Sequence, residues 1–300
     1  HTSDEKVFRG LSLTMIMSMP QLMKFQKFMN EDFMPEYGRY KDDCEIMPVT
    51  EAFKKHPKIE RYFHMKASDL IKELGIDAIA DNFVSKFAYA CTGSKINELN
   101  ALDFLNTTQG TVIPIYNFTF DPDAFTAKLD GKVVIDTIVK VAKQKDKSWK
   151  VTGESGKSYT CQNLVVATPG LTTQKLLNVE EVRQPTMLVS YLVKGIPTVD
   201  IRKAQAHYYG DYSDVIAISQ RYDGLWNVFS RKEVDLSPYF QAYDIVKYRV
   251  WPESLFTYGD CVMKQDWDEN CYVAGDLNGL GLEPASIAGI YAANRILGVC

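Results

Sequence analysis

The end of the chain carries the pattern that most constrains the fold: a short apolar run, a glycine-rich loop and a helix of small residues. The apolar run is residues 271–274 (CYVA), and Gly275 and Asp276 follow it directly. Two more glycines stand in residues 277–282, and Pro284 opens an alanine-rich stretch that suits a helix. Glycines let backbone amides approach a ligand, and a helix N-terminus favours an electron-rich or anionic group. The pattern predicts a strand, loop and helix unit that faces a ligand, although an ordinary helix docked on a sheet fits it as well.

Apolar periodicity predicts that residues 1–130 are mostly helical. Side chains recur at helical spacing near the start, which predicts an amphipathic helix that is broken at Pro35. Shorter periodic stretches with capping residues follow it. The predicted helices cover residues 20–36, 70–75, 77–89 and 97–105.

β-Branched segments separated by polar turns predict β-structure in the rest of the chain. Residues 132–161 are typical of a β-meander, and the buried strand 164–167 that follows is closed by Thr168 and Pro169. Because proline and the glycine after it end a strand, the tip of this strand should face a ligand or a cleft. Strands and turns alternate beyond Met187, which predicts a mixed or antiparallel sheet.

Residues 153–158 (GESGKS) are similar to the end of a phosphate-binding P-loop. The motif needs a glycine where Val151 stands, and it must open a helix, whereas the residues that follow are typical of a strand. We therefore predict a β-turn at this point.

Charge and composition exclude several functions. The 34 basic and 38 acidic residues give a formal net charge of −4, which lacks the basic footprint of nucleic-acid binding. No apolar stretch reaches the roughly 18 residues of a membrane span. Six scattered cysteines and four histidines offer little material for a metal site and favour reduced thiols in a cytoplasmic protein. A secreted protein is the alternative, because Cys261 and Cys271 could form a disulfide and residues 106–108 and 117–119 are glycosylation sequons.

The C-terminal unit resembles that of the flavin amine oxidases and phytoene desaturases, whose chains end in Gly-Asp, a loop, a Glu-Gly-Ala step and a small-residue helix. Gly275 and Asp276 match the first step, and Glu283 and Ala285 match the second. The resemblance implies that Asp276 lies near the ribityl and phosphate region of FAD and that the backbone at Pro284 and Ala285 faces the isoalloxazine. Pro284 replaces the usual glycine, which removes one amide donor.

A second module resembles the same family over residues 133–169. In the family, the main chain of the first strand contacts the adenine and an Ala-Thr-Pro turn lies beside the cofactor. The resemblance therefore implies that Val134 or Ile135, together with Thr168 and Pro169, contact FAD. The two modules stand in the family's order, and the resemblance covers roughly residues 111–298.

The sequence departs from the family in two respects. No GxGxxG follows a strand, so the first half of an FAD site is absent from these 300 residues. A second chain or a further N-terminal segment could supply it, or the protein has lost flavin. Many amine oxidases also carry a lysine near flavin N5, where this chain reads Gln184, Pro185 and Thr186. Flavin hydride chemistry in general is therefore better supported than amine oxidation with oxygen.

These features predict an α/β protein with an FAD-binding, glutathione-reductase-like fold that lacks its first βαβ unit and carries a mixed-sheet and helical substrate domain. The expected activity is FAD-dependent hydride removal from an amine, an amino acid or a polyene or lipid-like substrate. The alternative is a binding or scaffolding protein that kept the fold after loss of the cofactor. The expected regions are a helical cap at 1–130, a discontinuous FAD region at 131–185 and 255–300, and a sheet at 186–254.

Four aromatic residues of the predicted sheet are candidates for a substrate pocket, although aromatic residues on strands belong to a core more often than to a site. They are Tyr208, Tyr209, Trp226 and Trp251.

Overall fold

A layer of helices forms the first part of the fold. The structure, a computed structural model, describes residues 13–113, 120–129, 131–198 and 206–300. The sequon at 117–119 and the boundary residue 130 lie outside these ranges. The helices of this layer are α1 (Leu13–Phe28), α2 (Met34–Cys44), α3 (Val49–Lys55), α4 (Pro57–His64), α5 (Ala67–Leu74), α6 (Asp77–Ile79), α7 (Ser85–Thr92), α8 (Ala101–Thr108) and α9 (Pro122–Thr126).

The prediction of a helix broken at Pro35 is wrong. A π-helical turn over Met29–Phe33 joins α1 to α2, and Pro35 lies in the first turn of α2, so the chain stays helical past the proline. A second π-helical turn, Ala80–Val84, joins α6 to α7 in the same way. The helical prediction for the first region is confirmed in the described residues, and α2 extends well beyond its predicted end.

Apolar faces of these helices meet in one core. Tyr40 stacks on Phe53 with ring centroids 5.5 Å apart, and Phe33 stacks on Tyr37 at 5.1 Å. Tyr37, Tyr40 and Cys44 are the buried positions of α2, which is the spacing of a single helical face. One side of α2 is therefore fixed by packing.

A three-stranded antiparallel meander follows the helices, as predicted. It consists of β1 (Ile138–Lys143), β2 (Trp149–Gly153) and β3 (Ser158–Cys161), and the GESGKS segment is the turn between β2 and β3. The first strand begins later than predicted, because residues 132–137 are not in a strand. Asp136 instead accepts hydrogen bonds from the amides of Thr137 and Ser155, which ties this segment to the turn between β2 and β3.

The next strand belongs to a different sheet. β4 (Leu164–Val166) lies beside the late strand β11 (Cys271–Val273) in parallel, and β10 (Asp266–Asp268) pairs with the far side of β11. The strand order is β10-β11-β4, so the second edge of β4 has no partner strand among the described residues. The helices α10 (Gly170–Leu177) and α11 (Leu282–Leu297) follow β4 and the loop after β11.

The third region is an antiparallel sheet in the order β6-β7-β8-β5-β9, which is one of the two forms, mixed or antiparallel, that the sequence predicted. Its core includes Val189, Val228 and Ile218, while Tyr89 of α7 packs with Ile216 in a separate cluster. The strands are β5 (Gln184–Pro197), β6 (Ala206–Tyr208), β7 (Val215–Gln220), β8 (Trp226–Ser230) and β9 (Phe240–Tyr258).

The six cysteines are unpaired in the structure. Cys271 is buried in β11 and packs in the core of the small sheet, so it does not form the disulfide with Cys261 that a secreted protein suggested. Among the described residues, no helix is long and apolar enough to cross a bilayer.

Candidate functional site

The parallel pairing of β4 with β11 brings the two sequence motifs to one edge of a sheet. Val166 lies opposite Val273, and the amide of Ala274 donates to the carbonyl of Val166 at 3.0 Å. The turns at Thr168 and Gly275 therefore both follow the carboxyl ends of neighbouring parallel strands. In open α/β sheets, ligands bind outside this edge.

The turn after β4 is held by short side chains and a close approach of backbone to a ring. Thr173 Oγ1 donates to the Thr168 carbonyl at 2.9 Å, and Pro169 directly precedes α10. A Cβ atom at Gly170 would lie 2.5 Å from the Phe256 ring, so a larger residue does not fit. Packing against Phe256 therefore explains the glycine that follows this strand.

The loop after β11 depends on glycine backbone conformations. Gly275 has a φ of +114° and Gly281 a φ of +106°, both in the region that other residues avoid. Asn278 fixes the loop through two hydrogen bonds to the Met263 backbone, at 2.6 and 2.8 Å. Asn106 of α8 donates to the Leu280 carbonyl at 3.0 Å. The loop is therefore held from both sides.

The first turn of α11 has no side-chain cap. Gly281 precedes it, and Pro284 contributes no N–H. The other amides of the turn carry the partial positive charge of a helix N-terminus, which the acidic Glu283 in the same turn partly offsets.

A buried ion pair lies next to this loop. Arg183 and Asp103 are 2% and 1% exposed and form a salt bridge, and Arg183 Nη2 also donates to the Thr257 carbonyl at 3.1 Å. Arg183 Nε and Nη1 have no hydrogen-bond partner among the described residues. Burial raises the pKa of the half-buried Asp276 carboxyl, and the nearby Arg183 charge partly opposes this. The pair thus contributes to the electrostatic environment of Asp276.

A cleft opens between the loop and three helices, and we call it the α2/α8/α11 cleft. Its cavity volume in the structure is about 40 Å³, well below the roughly 300–1,000 Å³ of small-molecule sites, so it is a narrow space between packed elements. Its walls are one face of α2, one face of α8, the start of α11 and the loop after β11. The lining residues are Tyr37, Tyr40, Lys41, Cys44, Val49, Leu102, Asp103, Asn106, Gln265, Gly275, Asn278, Gly279, Leu280, Pro284, Ile287 and Ala288.

Few groups in this cleft carry a charge. Lys41 and Asp103 are the ionic side chains in its lining, and Asp103 is paired with Arg183. Lys41 Nζ lies 2.6 Å from Glu283 Oε1, which links α2 to the first turn of α11. Burial raises the pKa of the phenols of Tyr37 and Tyr40 and raises that of the Cys44 thiol to about 12. These three side chains are therefore neutral at physiological pH.

Several solved structures share the fold of this chain. No family model and no curated protein matches the chain. A CLA-producing fatty acid isomerase from P. acnes superposes with a TM-score of 0.64 at 12% identity, over 98% of this chain and 78% of that chain. The chain shares its fold with this enzyme. A putrescine oxidase variant with redesigned cofactor binding has a TM-score of 0.58 at 10% identity, over 99% of this chain and 78% of that chain. An oxidoreductase from Methanosarcina mazei has a TM-score of 0.52 at 10% identity, over 77% and 68%.

The structure places some predicted cofactor residues at the cleft and others away from it. Gly275 and Pro284 line it, and Glu283 reaches it through Lys41. Asp276 and Ala285 adjoin lining residues, while Thr168 and Pro169 lie at the same sheet edge without lining the cleft. Val134 and Ile135 lie in the irregular segment before β1, and Ile135 is 95% exposed.

The four aromatic candidates for a substrate pocket lie outside the cleft. Tyr209 and Trp226 are buried in the core of the five-stranded sheet, where Trp226 Nε1 donates to the Gly195 carbonyl at 3.1 Å. Tyr208 packs edge-on against Phe87 of α7, and Trp251 lies partly exposed below the Arg249 guanidinium at 5.7 Å. A pocket that contains all four is not formed by the described residues.

The sequence analysis missed the wall that α2 contributes. Tyr37, Tyr40, Lys41 and Cys44 are spaced as one helical face, and this periodicity was available in the sequence. It was missed because Pro35 was interpreted as the end of the helix. Asn106, the first residue of the sequon at 106–108, has a structural role in the site, since its part-buried side-chain amide donates to the Leu280 carbonyl in the loop after β11.

Proposed function

We propose that the protein is an FAD-dependent oxidoreductase that removes a hydride from its substrate to flavin N5. The observation that carries this proposal is the parallel pairing of β4 and β11, because it brings both flavin-type turns to one sheet edge beside an uncapped helix N-terminus. The shared fold with the enzymes above supports it.

The residues present fit the flavin half of the cofactor. Positive-φ glycines at 275 and 281 leave room for a ligand near the backbone, since a Cβ built at either position meets nothing within 4 Å. Asp276 would hold the ribityl region, and the first turn of α11 at Pro284 and Ala285 would face the ring. When bound, FAD supplies the hydride acceptor. The remaining proposed contacts are Thr168 and Pro169 at the sheet edge and Val134 or Ile135 at the adenine.

The chain's own residues would orient the substrate and exclude water. Tyr37, Leu102 and Ile287 form an apolar wall opposite the loop after β11, which lowers the local dielectric. The N-terminus of α11 would stabilise negative charge that develops on the reduced ring. Because Pro284 has no N–H, this stabilisation comes from the other amides of the turn.

The open edge of β4 favours completion of the cofactor site by a further segment. Val165 is exposed on this strand, no described strand pairs with its second edge, and parallel sheets rarely leave such an edge uncovered. We propose that a βαβ segment, from a second chain or from residues beyond these 300, pairs with β4 and binds the adenosine half. In this arrangement residues 131–185 and 255–300 form the FAD region, 186–254 the substrate sheet and 1–130 the helical cap.

The visible spectrum of the purified protein, recorded together with its intact mass, tests the proposal. We expect flavin bands, and we expect Asp276→Ala to weaken FAD binding at least tenfold, while Asp223→Ala in an exposed turn of the sheet leaves it unchanged. The mass identifies any chain or segment that completes the site. A colourless protein that rejects added FAD, with every co-purifying chain present, contradicts the proposal.

The alternative is a non-catalytic binding or scaffolding protein. One observation favours it: these 300 residues contain no GxGxxG, so the described half of the site has no adenosine-binding counterpart in the chain. Stable, colourless protein that binds a partner at the β4 edge without any flavin would support this alternative.

A further inference from the structure

We propose that a groove on the open face of the five-stranded sheet binds the phosphate group of a small molecule. The groove crosses β8, β5 and β9, and we call it the sheet-face groove. Its cavity volume is about 180 Å³, which is smaller than a drug-sized site and suits a small group, and it is lined by the basic side chains of Arg221, Lys247 and Arg249. The groove contains none of the residues proposed to contact FAD, so the inference goes beyond the flavin chemistry.

The strand register places the groove residues on one face of the sheet. Leu192 of β5 pairs with Lys247 of β9 on one side and with Asn227 of β8 on the other. Ser190, two residues earlier on β5, pairs with Arg249 of β9. Side chains two residues apart on a strand share a face and lie about 7 Å apart, and neighbouring strands lie about 5 Å apart. Both basic residues of β9 therefore project from the same face as the Asn227 amide.

The groove lies where the helices leave this face uncovered. Leu188 and Phe229, on the same face, pack against the cluster that contains Tyr89 of α7. No residue of α7 lines the groove, and Lys247 and Arg249 are exposed. The opposite face of β5 packs in the core of the sheet. A ligand can therefore enter the groove without any rearrangement of the core.

The groove has an excess of positive charge. Arg221 Nε donates to Asp223 at 3.1 Å, so one of the three cations is offset. Lys247 and Arg249 form no ion pair with another described residue, and no acidic side chain lines the groove. The Arg249 guanidinium lies 5.7 Å from the centre of the Trp251 ring, which positions it. A cleft lined by charges of one sign raises the local concentration of counter-ions, so this groove favours an anion.

Two uncharged donors lie on the strands between the basic side chains. The Asn227 side-chain amide and the Ser190 hydroxyl are half-buried in the groove, and neither has a hydrogen bond to another part of the chain that the structure describes. A phosphate group has three strong acceptor oxygens and accepts bidentate hydrogen bonds from arginine. A single carboxylate has fewer acceptors and less charge. Two unpaired cations with two neutral donors therefore fit a phosphate group best.

Protection of the sheet edge does not account for this arrangement. β9 is the last strand of the sheet, and charged side chains on such a strand hinder its pairing with other chains. That role does not require Arg221, which directly follows β7 at the other side of the groove. It also leaves the two unpaired neutral donors unexplained.

Calorimetric titration with pyrophosphate, ADP and adenosine tests the inference, in about 0.15 M salt so that weak attraction between exposed charges is screened. We expect pyrophosphate and ADP to bind and adenosine not to bind. Tighter binding of ADP than of pyrophosphate would assign the site to an organic phosphate, and equal binding would assign it to the phosphate group alone. Lys247→Gln and Arg249→Gln should each weaken binding at least tenfold, while Lys247→Arg should retain it. Lys150→Gln is the matched control, since Lys150 is an exposed strand lysine outside the groove.

Adenosine that binds as tightly as ADP overturns the inference. Binding that is unchanged in Lys247→Gln and Arg249→Gln also overturns it, because the phosphate then binds elsewhere, for example at the proposed FAD site. An equal loss in Lys150→Gln would show only a general attraction to exposed lysines and contradicts a specific site. Circular dichroism checks that each variant folds. If a glutamine variant does not fold, Asn227→Asp tests the groove without removing a cation, since the added negative charge should weaken phosphate binding.

Discussion

Removal of one partner from the buried pair of Arg183 and Asp103 should be among the most destabilising single changes in the protein. Asp103→Asn keeps the size of the side chain but leaves the Arg183 charge without a counter-ion at a position that is 2% exposed. Two guanidinium nitrogens already lack partners among the described residues, so little hydrogen bonding can compensate for the loss. Breaking a buried pair in this way costs about 3–5 kcal/mol, a large part of the roughly 5–15 kcal/mol that stabilises a typical domain.

Urea unfolding followed by circular dichroism measures this cost. The double variant Asp103→Leu with Arg183→Met should recover most of the lost stability, because it replaces both charges by apolar groups. Glu73→Gln, which breaks the exposed pair with Arg61, should leave the midpoint nearly unchanged. If Asp103→Asn costs less than about 1 kcal/mol, or if the double variant is as unstable as the single one, the pair is not the uncompensated buried charge described above.

Two further changes test the helical layer and the turn after β4. Gly170→Ala should lower the free energy of unfolding by about 1–3 kcal/mol, because the new Cβ meets the buried Phe256 ring. Urea unfolding measures this loss. An unchanged free energy of unfolding would mean that the ring can move aside. Acid should weaken the contact of α2 with α3 and α4. A hydrogen bond from His56 lowers the pKa of the Glu36 carboxyl on α2. Hydrogen bonds from Lys55 and His56 lower the pKa of the Asp43 carboxyl on the same helix. Their contribution is complete above the ordinary carboxyl pKa and is lost as the pH falls through the lowered values. Thermal unfolding measured over a pH series should show this loss as a fall in Tm with decreasing pH, and the fall should be smaller in His56→Gln. If Tm depends on pH equally in both proteins, the two carboxylates do not stabilise this contact through His56.

Local patterns in the sequence predicted the elements that depend on neighbours in the chain. The strand, loop and helix after residue 271, the turn at Thr168 and the antiparallel sheet follow from periodicity and from the placement of glycine and proline. The later start of β1 could not be predicted in this way. It depends on hydrogen bonds from Ser155 to Asp136, which lie 19 residues apart and form only once the hairpin is in place.

The site itself depends mainly on long-range contacts. Asp103 and Arg183 are 80 residues apart in the chain, and Lys41 and Glu283 are 242 apart, so neither pair leaves a periodic signal in the sequence. The π-helical turn before Pro35 is a further example, because it carries the helix past a residue that ordinarily ends one. Sequence motifs therefore predicted the wall formed by the loop after β11 and the start of α11. The wall formed by α2 and α8 becomes part of the cleft only through tertiary packing.

The first turn of α11 connects the departure at Pro284 with the position of Lys41. A proline at this point removes one N–H from the turn, which weakens the donor set that faces the cleft. Lys41 of α2 pairs with the adjacent residue Glu283, so the charges of these two side chains offset each other at this end of the helix. The positive character in front of α11 therefore comes from the backbone amides that remain in its first turn.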